Sequence, residues 1–222
     1  MTEGSVSQSI ATLPVRQELA RSVRLLDVRP AEKFASRHVR GTLNIDLRGR
    51  FAAWAALLIR PTERLWLIGE NAKAAEEARG RLARVGLTLL AGYSRFDERQ
   101  WLSAGFELAR VPVLYCRDVG LGLREPDLHL IDARSRAEWL QGHLPTATAM
   151  PLLELVSGTA QIDPSRRSFV YCLEGFRATT AASILLQRGF RNVGVLFDGV
   201  EGWRALGRPL QKPALPPRAP VP

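Results

Sequence analysis

A block near the start of this chain recurs after about a hundred residues, and that repeat constrains the fold more than any other feature. Leu26-Asp27-Val28-Arg29 is answered by Ile131-Asp132-Ala133-Arg134, Phe34 by Trp139 and His38 by His143, all at one offset. Further on, the apolar run Leu65 to Ile68 with Gly69 behind it corresponds to Phe169-Val170-Tyr171 with Cys172 behind it. Gly86 falls where Gly189 does, and Trp101 and Trp203 close the two copies. The period is too long for a solenoid unit and fits a duplicated domain.

Each copy alternates short apolar stretches with helix-length ones. Arg24 to Val28, His129 to Ala133 and Ser168 to Tyr171 read as strands; Ala72 to Val85 and Arg177 to Arg188 have the length and apolar spacing of helices. Gly86 and Gly189 stand where a left-handed helix C-cap is wanted. Such alternation predicts α/β domains, each a mostly parallel sheet with helices on both faces. The junction is expected between Glu107 and Pro112, with no Gly/Ser-rich linker. The expected organisation is an N-terminal extension over 1–14, a first domain over 15–107, a second over 108–211, and a proline-rich tail over 212–222 that is extended or disordered.

Composition narrows the function classes. A hydrophobic share of 46% across 222 residues supplies cores for two small domains. No apolar run is long enough for a membrane span, and the first twenty residues lack the pattern of a secretory signal, so a cytoplasmic protein is expected. The net charge of +9 comes from 31 basic residues, all but three of them arginine. They are scattered without an aromatic-basic stripe, which fits an anion-attracting surface better than a nucleic-acid site. Two cysteines and three histidines leave no metal-binding spacing and no disulfide framework, so neither metal nor cofactor is expected and at least one thiol is free.

That thiol is Cys172. Cys172-Leu173-Glu174-Gly175-Phe176-Arg177 follows a buried strand and opens a helix, the place where open α/β sheets build sites. Backbone N–H groups there, together with the positive end of the helix, stabilise a thiolate, a persulfide or a sulfo group. Gly175 permits the tight loop, and Arg177 offers a permanent cation and forked donors for an oxyanion such as thiosulfate. Glu174 opposes both effects unless it faces solvent or pairs with an arginine. Asp132 and Arg134 are expected to brace neighbouring loops, His143 to position a turn, and Trp203 to sit in the core. Cys116 lacks a following glycine-arginine loop and is expected to be structural.

Three blocks in the second copy resemble the rhodanese family of sulfurtransferases. These are Leu130 to Arg134 with Glu138-Trp139 and Gly142-His143-Leu144, the Cys172 loop, and the closing Phe197-Asp198-Gly199-Val200-Glu201-Gly202-Trp203. The resemblance implies two tandem rhodanese-like domains. In the second, Cys172 accepts a sulfane sulfur as a persulfide and passes it to a thiol or cyanide, Leu173 to Arg177 hold the substrate, and Asp132, Arg134 and His143 support the site. Arg177 matches the loop arginine of many single-domain members, which points to thiosulfate or persulfides such as glutathione persulfide before mercaptopyruvate. A related fold serves dual-specificity phosphatases, but their loop is one residue longer, and the smaller cradle here favours sulfur.

In the first copy, Gly69-Glu70-Asn71-Ala72-Lys73-Ala74 has neither thiol nor arginine, which excludes covalent sulfur transfer there. Asp27-Val28-Arg29, His38 to Ile45 and Phe51 to Ile59 resemble the rhodanese-homology segment of metallo-β-lactamase/persulfide dioxygenase fusions. That likeness implies a docking role for the first domain and a separate persulfide dioxygenase-like metallo-β-lactamase protein as partner. The rival expectation is a non-catalytic, sulfur-sensing or partner-binding module.

Overall fold

A computed structural model describes residues 22–119, 128–158 and 162–212. The expected extension over 1–14, and all of the proline-rich tail except Lys212, lie outside the described residues. The chain divides into two compact units between Arg110 and Val111.

The first unit is built on a four-stranded sheet of order β3-β1-β4-β5, with β1 Arg24–Asp27, β3 Leu43–Asn44, β4 Leu65–Gly69 and β5 Leu90–Arg95. Every pairing in it is parallel. All five residues of β4 are buried, as expected for a strand covered on both faces. A small antiparallel pair, β2 His38–Val39 with β6 Leu108–Ala109, stands apart. The helices are α1 Ala31–Ser36, α2 Phe51–Leu58, α3 Ala72–Ala83 and α4 Glu98–Ser103. Trp101 is fully buried in a cluster with Val23, Leu25, Val39, Trp66 and Ile68.

The second unit carries a five-stranded, wholly parallel sheet of order β7-β11-β10-β8-β9. Its strands are β7 Val113–Leu114, β8 Leu128–Asp132, β9 Thr148–Ala149, β10 Arg167–Tyr171 and β11 Val193–Leu196, and its helices are α5 Arg136–Leu140, α6 Leu152–Ser157, α7 Phe176–Gln187 and α8 Gly199–Ala205. Residues Ala178 to Leu185 of α7 are all buried, because the helix packs between α6 on one side and β10 and β11 on the other. The core gathers Cys116, Leu130, Leu144, Phe169, Tyr171, Leu196, Val200 and Trp203. Trp203 Nε1 donates to the Pro209 carbonyl at 2.9 Å, which satisfies its polar edge inside that core.

The two helices foreseen after the central strands end as their glycines dictate. Gly86 and Gly189 take φ of +80° and +88°, and the amides of Leu87 and Phe190 fold back onto the carbonyls of Leu82 and Leu185.

In both sheets the chain leaves the first central strand towards one edge, then returns to its other side. This puts a switch point between the carboxyl ends of β1 and β4 in one unit and of β8 and β10 in the other. Gly69 and Cys172 mark those two points. Among the described residues, no helix is long and apolar enough to cross a membrane.

Candidate functional site

Tyr171, the last residue of β10, lies in register with Asp132, and the Ala133 amide donates to its carbonyl at 2.9 Å. Beneath the loop, Asp132 and Arg134 form a buried pair. Asp132 Oδ1 accepts from the Arg134 amide (2.9 Å) and Nε (3.0 Å), Oδ2 accepts from Nη2 (2.7 Å), and Nη2 also donates to the Gly142 carbonyl (2.8 Å). Burial works against the Arg134 charge, but the bonds to Asp132 outweigh it and hold the guanidinium in its charged form. Tyr171 is buried, accepts from the Leu144 amide at 3.1 Å and has its phenol pushed up by that burial. His143 stacks on Trp139 with ring centroids 3.5 Å apart, and its backbone bridges to Gln211.

The same brace is built in the first unit. Asp27 holds Arg29 through Nε (3.0 Å) and Nη2 (2.6 Å), Nη2 reaches the Arg37 carbonyl (2.8 Å), and His38 stacks on Phe34 at 4.0 Å.

The two units differ at the strand-to-helix loop. Cys172 is 2% exposed and free. The loop turns through Gly175 at φ +89°, where a Cβ would meet the Phe197 carbonyl oxygen at 2.7 Å, so only glycine fits without displacement. Gly175 is the N-cap of α7, and among the described residues no side-chain hydrogen bond caps it. Among the described residues, no acceptor is seated on the amides of Leu173, Glu174, Gly175 or Arg177. In the first unit, by contrast, Asn71 Oδ1 accepts from the Ala74 amide at 2.9 Å and closes the N-terminus of α3 with the chain's own side chain.

The loop is held from behind by the closing motif. Val200 and Glu201 amides donate to the carbonyls of Cys172 (3.0 Å) and Leu173 (3.3 Å). Asp198 Oδ1 accepts from the Cys116 amide at 2.8 Å, and the Cys116 thiol donates to the Gly199 carbonyl at 3.2 Å. Burial pushes that thiol well above its ordinary range, so Cys116 is a fully buried, protonated packing group.

Arg177 is not the open fork expected from the sequence. Nη1 and Nη2 donate to Glu138 Oε2 and Oε1 at 2.6 and 2.7 Å. Glu138 is itself fixed by a capping box, its Oε2 accepting from the Ser135 amide (3.0 Å) and hydroxyl (2.7 Å). The Arg177 bond holds the Glu138 carboxyl down at about 2 against the desolvation of its position, with Ser135 helping. Burial opposes the Arg177 charge, but Glu138 and the nearby Cys172 outweigh it and raise its pKa. Glu174 is exposed and pairs with no described arginine, which meets the solvent-facing condition on which its tolerance depended.

Glu138 is therefore the site residue that sequence reasoning missed as such. The Ser135-x-x-Glu138 pattern signals a capping box, but nothing in the linear order pairs it with an arginine 39 residues on. Among the described residues, no cluster of His, Cys, Asp and Glu could hold a metal ion.

Comparison with known proteins places residues 112–206 in the family described as "Rhodanese-like domain". A sulfurtransferase of Allochromatium vinosum is 32% identical over 87 residues, covering 39% of this chain and 81% of that protein. The thiosulfate sulfurtransferase GlpE of Coxiella burnetii is 25% identical over 83 residues, covering 37% of this chain and 78% of that protein. A crystal structure of a thiosulfate sulfurtransferase from Pseudomonas aeruginosa aligns with 89% of this chain and 42% of its own, at 25% identity and a TM-score of 0.42.

Proposed function

The chain belongs to the rhodanese-like family, and from that premise we propose that it is a sulfurtransferase in which Cys172 alone carries sulfur, moving it from thiosulfate or a persulfide to a thiol or cyanide. The observation that carries this reading is the combination, among the described residues, of a free thiol at the carboxyl end of β10, amides of Leu173, Glu174 and Gly175 with no acceptor seated on them, and an α7 N-cap without a side-chain hydrogen bond. An anionic sulfur on Cys172 takes up those donors and the helix dipole together.

The cycle is ping-pong. With thiosulfate, the Cys172 thiolate attacks the outer sulfur, the S–S bond breaks, sulfite leaves with the electron pair, and a Cys172 persulfide anion remains. An acceptor thiolate or cyanide then attacks the terminal sulfur, and the Cys172 thiolate is regenerated. Asp132 and Arg134, with the His143–Trp139 stack, keep the strand end and its neighbouring turn in place without touching the reacting atoms.

The first unit is read as a second, inactive copy of the same domain. Gly69 stands at the thiol position and Asn71 occupies the helix end. Its role in this reading is docking, with a separate persulfide dioxygenase-like metallo-β-lactamase protein as the partner that exchanges sulfane sulfur with Cys172.

The test is intact mass of the reduced protein, wild type and Cys172→Ser, after exposure to thiosulfate or glutathione persulfide and then to cyanide. A cyanide-labile gain of one sulfur atom in the wild type alone supports the reading. No gain with either donor turns it into a sulfur-sensing or partner-binding module.

A further inference from the structure

We propose that Glu138 is a specificity-determining residue which, by occupying both terminal nitrogens of Arg177, turns the Cys172 site away from oxyanion donors such as thiosulfate and towards persulfides, whose sulfane sulfur carries no sulfo group. This rests on the sulfur-carrier reading of Cys172 and narrows it.

Arg177 is the loop cation beside Cys172, and its side chain is only 19% exposed. Both ends of its fork are bonded to one carboxylate, Nη1 to Oε2 and Nη2 to Oε1. That carboxylate is not a mobile surface group. Ser135 holds Oε2 from its amide and its hydroxyl, Ser135 being the N-cap of α5 and Glu138 lying in its first turn. To use Arg177, a dianionic donor must therefore enter beside a fixed, ionised carboxylate and share or displace it, with exposed Glu174 adding a second negative charge at the loop. Like charges confined to a partly desolvated site disfavour each other strongly.

A persulfide makes no such demand. The Cys172 thiolate attacks the terminal sulfur of R–S–SH, the donor's S–S bond breaks, RS⁻ leaves with the electron pair, and Cys172–S–SH remains. The charge that develops lies on sulfur atoms alone, and the amides of Leu173 to Gly175, which have no acceptor among the described residues, are available to meet it. Thiosulfate transfer instead expels sulfite, which wants a cation at its three oxygens; that cation is already neutralised by Glu138.

The experiment compares kcat/KM for thiosulfate and for 2-hydroxyethyl persulfide, a donor with an uncharged carrier group, in the wild type, Glu138→Gln and Ser135→Ala, with cyanide as acceptor. Glu138→Gln keeps the shape and an acceptor for Ser135 while removing the charge. The expected result is a rise of about tenfold or more in thiosulfate kcat/KM, mainly through KM, and a change under about threefold with the persulfide, as for the gain or loss of one close charge interaction. Ser135→Ala loosens the same carboxylate and should move the donor ratio in the same direction by less. An unchanged donor ratio in both variants, or an equal fall with both donors, overturns the proposal. Wild-type protein that takes sulfur from neither donor brings down the sulfur-carrier reading together with it, whereas one that takes sulfur from both without any response to Glu138 overturns the proposal alone.

Discussion

The Val200 amide donates to the Cys172 carbonyl at 3.0 Å, and Gly199, which turns the chain into that contact at φ +47°, lies so close that a Cβ on it would stand 2.2 Å from the same carbonyl oxygen. The closing glycine thus sets how far the sulfur-bearing loop can settle onto α8. Gly199→Ala is expected to push the loop outward, costing about 1–3 kcal/mol of stability through backbone strain and clash. Persulfide loading at Cys172 should fall further than stability does. Chemical denaturation alongside intact-mass loading separates the two effects.

Burial holds the His38 imidazole down at about 4 from an ordinary value of 6.5, with the Phe34 carbonyl bond only partly offsetting it. The unfolded chain therefore takes up a proton at a higher pH than the folded one. Stability from this group is complete above about 6.5 and is lost as pH falls towards 4. Between pH 7.5 and 5 the first unit should lose about 2 kcal/mol, and His38→Gln should flatten that dependence. Denaturant melts at the two pH values check it.

Cys116 should be chemically silent. Its thiol is fully buried and bonded to the Gly199 carbonyl, so a native-state alkylating reagent should leave it unmodified until the second unit unfolds. Cys116→Ser should keep sulfur loading at Cys172 and cost about 1–2 kcal/mol for the added buried hydroxyl. Mass mapping of the modified cysteines before and after denaturation provides the readout.

Restoring a thiol to the first unit should not restore chemistry. A Cβ at Gly69 meets its nearest neighbours at 3.6 to 3.8 Å, so Gly69→Cys fits the fold. Asn71 still occupies the helix N-terminus and no loop arginine is present, so in a Cys172→Ser background the new thiol should gain no cyanide-labile sulfur. Loading by the double variant comparable to wild type would refute this.

The sequence read the framework closely and the wiring poorly. The strands ending at Asp27, Asp132 and Tyr171, and the helices after Gly69 and Cys172, were visible to within a residue or two because the strands are short, mostly apolar runs and the helices are long enough to show their period. The two-residue strands β2, β3, β6, β7 and β9 were invisible, since two residues carry no alternation and pair only because the tertiary fold brings their partners alongside. Cys172 as a candidate was legible from a local string, strand then glycine loop then helix. The loss of Arg177 to Glu138 was not, because it depends on how α5 and the start of α7 approach in space.

The Asp27–Arg29 brace has nearly the dimensions of Asp132–Arg134, although no thiol stands above it. The framework and the proposed chemistry thus fall in separable stretches of this chain. The brace and stacked histidine stand in both units, whereas the six-residue segment Cys172 to Arg177, with its arginine held by one carboxylate on a neighbouring helix, stands in the second alone. On the sulfur-carrier reading, changes at a handful of positions in that segment would retire or retune the chemistry while leaving the sheet, the buried pair and the core tryptophans in place.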